Sequence, residues 1–172
     1  MKFSIVIPTY NEEKDIGATL DSLLGLRYSD KEIVVVDDST DTTPQIVSAY
    51  EGRGVKLIRP EVRKGRCEAR NIGVRASSGD VVVILNADVL LPEDFLDRIK
   101  VHYDNGYDSV TVFADVANME TMYARYIDLL HQKKVVQGVY EQRKTTLNGI
   151  YWSEGFSVRR ELAMKSSLFP SG

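Results

Sequence analysis

Short runs of consecutive apolar residues alternate along this chain with longer stretches in which apolar positions recur every three or four residues. Phe3-Ser4-Ile5-Val6-Ile7, closed by Pro8, reads as a first strand. Lys31 to Val36, Val55-Lys56-Leu57-Ile58, Asp80 to Leu85 and Ser109 to Phe113 read as four more. Between them the period lengthens to that of a helix. Asn11 is placed to cap the first helix, Glu12 and Glu13 suit its positive end, and Ile16, Leu20, Leu23 and Leu24 form its apolar stripe up to Gly25. Thr42-Thr43-Pro44 opens the next with a cap and an early proline. Gly65 to Ser78 reads as a third, and Pro92 starts a fourth with Glu93 and Asp94 in its first turn. A long helix is predicted from Met119 to about Val136, where Met122, Tyr126, Leu129 and Leu130 recur at helical spacing. Regular pattern returns at Phe156-Ser157-Val158, with a short helix from Arg159.

Strands alternating with helices in this way predict βαβ units and an α/β fold with a mostly parallel sheet flanked by helices. The near-continuous Val and Ile runs agree, since parallel strands are buried on both faces. With 172 residues and no repeat, low-complexity segment or linker, a single domain over 1–172 is expected. Net charge is −3 without a long basic run, which argues against general nucleic-acid binding. Cys67 is the single cysteine, so an internal disulfide is excluded and a reducing compartment is expected. No signal peptide is expected, since Met1-Lys2 leads at once into the first strand-like run, and no apolar stretch approaches the roughly 18–20 residues of a membrane span. The last residues, Phe169-Pro170-Ser171-Gly172, read as a turn and suggest a fold truncated at its C-terminus.

Two of the apolar runs end in acids, the second in Asp37-Asp38 and the fourth in Asn86-Ala87-Asp88. Ligands of open α/β sheets bind outside the carboxyl ends of the strands. Carboxylates gathered there repel one another unless a cation or hydrogen-bond donors offset them. The blander alternative is that both clusters are turn acids, with Asp37 and Asp38 leading into the helix at Thr42. Lys64, Arg66 and Arg70 stand near the Gly65 helix start, where amides and cations favour a bound anion; as single residues they are equally well solvated charges. No Walker loop or dinucleotide fingerprint is present. His102, His131 and Cys67 read as packing or surface residues.

Taken together, these motifs resemble the family 2 glycosyltransferases. Ile5-Val6-Ile7-Pro8-Thr9-Tyr10-Asn11-Glu12 is similar to that family's opening motif, and Val36-Asp37-Asp38-Ser39-Thr40-Asp41 to its second acidic segment. Lys64-Gly65 with Ala69-Arg70-Asn71-Ile72-Gly73, then Asn86-Ala87-Asp88 with Pro92, then Arg159-Arg160-Glu161 follow in the family's order. The resemblance implies a GT-A, Rossmann-like fold and an inverting, metal-dependent, hexosyltransferase-like enzyme that takes sugar from a nucleotide-diphosphate donor. A donor-binding part over 1–115 and an incomplete acceptor part over 116–172 are expected.

Residue by residue, the resemblance implies nucleotide-sugar contacts from Pro8, Tyr10, Asn11, Glu12, Asp37, Asp38, Lys64, Arg70, Asn86, Ala87 and Asp88. Asp38 would take the base, with Asp37 supporting the loop or the base. Asp88 would hold the metal, Mg²⁺ or Mn²⁺, shared with the diphosphate. Asn86 departs from the family's pattern, standing where its first aspartate is usual, so weaker metal affinity is expected. The general base is expected beyond Gly172, with Glu154 the candidate inside the chain. The acceptor, whether glycan, lipid-linked or protein, is not legible. The expected place is the cytoplasm or the cytoplasmic face of a membrane, with membrane association through further C-terminal segments. A nucleotide-sugar-binding module without catalysis is the main alternative. A phospho-receiver would instead want its acidic pair after the first strand, and a nucleotidyltransferase a glycine-rich loop there.

Overall fold

The structure is a computed structural model and describes residues 1–112, 155–165 and 169. All of these fall in one unit, Met1–Val112 with Trp152–Gly172; the second unit, Phe113–Tyr151, lies outside the described residues. So do the expected helix at 119–136, His131 and Glu154.

The elements are β1 (Phe3–Thr9), α1 (Ile16–Leu24), β2 (Lys31–Asp37), α2 (Thr43–Ser48), a 3₁₀ turn (Glu51–Arg53), β3 (Val55–Ile58) and α3 (Gly65–Ala76). After these come β4 (Val81–Ile84), α4 (Phe95–Asp104), β5 (Ser109–Val110), β6 (Phe156–Arg159) and a closing helix α5 (Arg160–Lys165). The sheet runs in the order β3-β2-β1-β4-β6-β5. β1, β2, β3 and β4 pair in parallel, whereas β6 pairs antiparallel with both β4 and β5.

Alternation along the strands splits the core in two. Phe3, Ile5, Ile7, Ile33, Val35, Val81 and Val83 face α1 and α4, with Leu20, Leu23, Leu96 and Ile99 in the same apolar layer. Val6, Val34, Val36, Val82, Ile84, Phe156 and Val158 form the other layer with Ala69 and Val74 of α3 and Ala163 of α5. The mostly parallel sheet covered on both faces is therefore as predicted. At Gly73 the second layer is closest: a Cβ there would stand 2.2 Å from Val6 Cγ1. Only glycine lets α3 lie so near β1.

Several local expectations are corrected. Asn11 does not cap α1, which starts at Ile16 behind Asp15; its side chain is engaged elsewhere, as described below. Thr42 is the residue before α2, but its hydroxyl donates to Glu13 Oε2 (2.6 Å), and Asp41 Oδ1 accepts from the Thr43 amide (2.9 Å). α4 begins at Phe95, after a turn in which Pro92 O accepts from the Phe95 amide. β5 is only two residues long, and β6 inserts between it and β4. Among the described residues no helix is long and apolar enough to cross a membrane.

Candidate functional site

The chain passes from β1 to β2 and β3 on one side, then returns to β4 on the other side of β1. That reversal opens a crevice at the carboxyl ends of β1 and β4, the usual ligand position of such sheets. Register brings the acidic segments to it, since Thr9 stands opposite Asp37 and Val6 opposite Ile84. The crevice is a cleft of about 300 Å³ lined by Pro8, Thr9 and Tyr10, by Glu12, Asp38 and Asp88, and by Arg63, Gly65, Arg66, Ala69, Asn86 and Ala87. Its volume lies at the lower end of the range for small-molecule sites.

The two neighbouring aspartates do different work. Asp37 ends β2 with its side chain buried; it accepts a hydrogen bond from Thr9 Oγ1 at 2.8 Å. Arg59 Nε lies 3.3 Å from its other oxygen, near enough for an ion pair but not aligned for a hydrogen bond. Asp37 does not line the cleft and instead ties β1, β2 and the loop after β3 together. Asp38 does line it. Its Oδ2 accepts from the amides of Lys64 (3.0 Å) and Gly65 (2.9 Å), at the start of α3. Its Oδ1 is buried and has no hydrogen-bond partner. An acceptor left unpaired away from water is costly, so this oxygen is poised for a ligand donor. The same contacts correct the expectation for the helix start: the amides of Lys64 and Gly65 are occupied by a carboxylate. Gly65 takes a φ of +77°, which explains a glycine at this turn.

The loop after β1 is held open by cross-bonds to the loop after β2. Asn11, in the left-handed region at φ 57°, donates its amide to Ser39 Oγ (2.8 Å) and accepts from the Thr40 amide (2.9 Å). The Glu12 amide donates to Thr43 Oγ1 at 2.9 Å. Asn11 is thus a brace outside the cleft, while Glu12 lines it. Burial, then the nearby charge of Asp88, raises the Glu12 carboxyl above its ordinary value.

Asn86, Ala87 and Asp88 follow β4. Thr19 Oγ1 of α1 donates to Ala87 O at 2.7 Å, which fixes the turn from behind. Arg70, nearly buried on α3, reaches Asn86 Oδ1 at 3.4 Å. Its guanidinium also lies 5.1 Å from the centre of the Phe169 ring, and Asn71 Nδ2 donates to Phe169 O at 2.8 Å. Arg70 therefore acts on the cleft through Asn86, not by lining it. Asp88 is exposed on the cleft wall.

Of the residues singled out in the sequence, Pro8, Tyr10, Glu12, Asp38, Asn86, Ala87 and Asp88 meet in one cleft, together with Arg66. Asn11, Asp37, Lys64 and Arg70 surround it as supports, Lys64 through its backbone amide. Arg159 and Arg160 stand elsewhere, bonding Asp108 and Ser77 and fastening β6 and α5. Thr9 and Ala69 stood inside the matched motifs without an assigned role, and Arg63 was passed over. For Arg63 the only local signal was a cluster of cations around Gly65.

The charge of the cleft bears on a metal. Three carboxylates, Glu12, Asp38 and Asp88, face two guanidiniums, Arg63 and Arg66. Among the described residues no three His, Cys, Asp or Glu side chains form a self-sufficient metal cage. Hard oxygen donors in deficit of positive charge fit a dication that a phosphate-bearing ligand helps to coordinate.

Known proteins share both the sequence pattern and the fold. Residues 4–166 match the family described as "Glycosyl transferase family 2". Poly-beta-1,6-N-acetyl-D-glucosamine synthase of Staphylococcus epidermidis is 33% identical over 93 residues, 53% of this chain and 23% of that protein. The structure of Staphylococcus aureus TarS 1-349 in complex with UDP-GlcNAc superposes with a TM-score of 0.76 at 25% identity, over 98% of this chain and 48% of that one. Mannosyltransferase PcManGT from Pyrobaculum calidifontis, in complex with GDP-Man and Mn²⁺, gives 0.74 at 28% identity, over 99% and 48%. The chain thus spans about a quarter of that curated relative and about half of either solved chain.

Proposed function

The chain belongs to glycosyl transferase family 2 with a GT-A fold, and from that premise we propose that it binds a nucleotide-diphosphate sugar in the β1/β4 crevice and serves transfer of the sugar, with inversion, to an acceptor hydroxyl. The observation that carries this reading is the pairing of two acids at one sheet edge with unlike surroundings. Asp38 has a buried oxygen awaiting a donor, while Asp88 is exposed and free to meet a cation.

Asp38 Oδ1 would accept from the imide or exocyclic amine of the base. Tyr10 offers its ring and Pro8 its apolar edge. Arg66 would face the diphosphate, and Asn86, oriented by Arg70, the ribose. Asp88 would hold Mg²⁺ or Mn²⁺ together with the diphosphate, and Glu12 adds a second negative group to that wall. When bound, the cation would neutralise charge that develops on the departing nucleotide diphosphate.

An inverting transfer also needs a base for the acceptor proton. Asp38 is locked by helix amides, and Asp88 with its neighbour Glu12 would form the wall that meets the cation, so we assign the base outside this cleft; Glu154 is the residue of this chain to test. Our reading keeps donor binding in 1–115 and the acceptor side in 116–172, of which β6 and α5 also complete the donor sheet and its apolar layer. A second reading, binding without transfer, is favoured by the neutral Asn86. Calorimetric titration with UDP, GDP and their sugar conjugates, with and without Mn²⁺, tests the assignment. A metal-dependent heat that disappears in Asp88→Ala is expected; absence of binding by any nucleotide would sink it. Release of labelled sugar separates transferase from binding module.

A further inference from the structure

The loop between β3 and α3 is fastened at both ends to the segment after β2. At its start, Arg59 pairs with Asp37 and donates Nη2 to Ser39 O at 3.0 Å. At its end, the Lys64 and Gly65 amides bind Asp38. Between these anchors Arg63 reaches the loop after β1 and sets its guanidinium carbon 3.9 Å from the centre of the Tyr10 ring. Among the described residues Arg63 has no hydrogen bond or ion pair, so the ring is what holds it. Both side chains line the cleft, and Tyr10 keeps 41% of its surface exposed.

A planar cation at that height fills the space that another flat ring would use for stacking. The rest of that corner suits a heterocycle, with Pro8 and Ala69 as apolar walls and the unpaired Asp38 Oδ1 as acceptor. We infer that Arg63 is a displaceable cover on Tyr10. The base of a nucleotide takes the ring face that the guanidinium occupies, and Arg63 turns to pair with the diphosphate. The inference rests on the nucleotide reading of the cleft and adds a residue that works in two opposite senses. It competes with the base and attracts the phosphates.

That opposition gives a test with two signs. Uridine and guanosine carry the base without phosphates; UDP and GDP carry both. Loss of the exposed cation–π contact in Arg63→Ala should tighten nucleoside binding by roughly two- to fivefold, because the competing closed state is removed. The same variant should weaken diphosphate binding by a net of about three- to tenfold, because loss of one charge-assisted contact, worth about ten- to thirtyfold, outweighs the same roughly two- to fivefold gain. Arg63→Lys, with its charge kept and its flat face removed, should retain much of the diphosphate affinity. Equal weakening of nucleoside and diphosphate would make Arg63 a fixed wall of the pocket and overturn the inference, as would no change in either. Wild-type protein that binds neither kind of ligand would instead overturn the nucleotide reading on which it stands. The stack is checked without ligand by the NMR signal of the Arg63 δ-methylene. Ring current should shift it upfield, and Tyr10→Leu should return it to the ordinary position; an ordinary position in the wild type refutes the cover directly.

Discussion

Asp38 is asked to do two jobs at once, and replacing it with asparagine separates them. One oxygen accepts two backbone amides at the start of α3, at 3.0 and 2.9 Å. The other is buried without a partner at the cleft. Asparagine keeps the shape and can leave its carbonyl on the helix amides. It then presents an NH₂ group where Asp38 presents an acceptor, and it removes the negative charge from the positive end of a twelve-residue helix. The loss at the helix should be about 1 kcal/mol of stability, the usual scale for a cap and a charge–dipole term. The loss at the cleft should be larger. A hydrogen bond to a charged acceptor is worth roughly 1.5–3 kcal/mol, which corresponds to about a ten- to hundredfold rise in Kd. Urea denaturation reads the first effect and calorimetry with UDP or GDP the second. A variant that is destabilised as expected yet binds nucleotide within about twofold of wild type would show that Asp38 is only a cap. The base-binding role would then be withdrawn.

Two further changes probe the scaffold. Gly73→Ala forces a methyl group against Val6 Cγ1 at 2.2 Å, so α3 must shift from β1; a loss of roughly 1–3 kcal/mol is expected in urea denaturation, and a neutral result would mean that the helix has room to move. At the amino ends of β1 and β2, burial pushes the Glu32 carboxyl up, but hydrogen bonds from Ser4, Ser78 and Lys2 outweigh it and hold the group at about 2. A depressed folded-state value stabilises above the unfolded carboxylate range, and that stabilisation is lost as pH falls from about 4.5 towards 2. Allowing for solvent screening of this partly exposed group, its contribution is about 1–2 kcal/mol. Glu32→Gln should flatten the stability profile across that window; an unchanged acid limb would contradict the assignment.

Much of this architecture was legible because it is written in local periodicity. Ile33 to Val36 are buried on both faces of the sheet, and an unbroken apolar run announces as much in the sequence. What the sequence hid are pairings between distant segments. Asn11 has the chemistry of a helix cap, but Ser39 and Thr40 compete for it across the crevice and win. Asp37 and Asp38 are chemically identical neighbours, and only the strand's alternation turns one inward to Thr9 and the other towards α3. Arg63 has no periodic or motif signature, because its partner Tyr10 lies on another loop. β6 was invisible as an inserted antiparallel strand for the same reason, its neighbours β4 and β5 being set by a return of the chain.

That insertion has a consequence for how the molecule is made. Val81 to Ile84 of β4 pair with Phe156 to Arg159, so one side of this central strand waits for a segment that leaves the ribosome much later. Until then β4 presents an open hydrogen-bonding edge of four buried apolar residues, the kind of edge that recruits other chains. Closure of the sheet is a late, long-range event and should set the slow step of folding. Nascent or clipped chains that lack Phe156–Arg159 should be the species that aggregate.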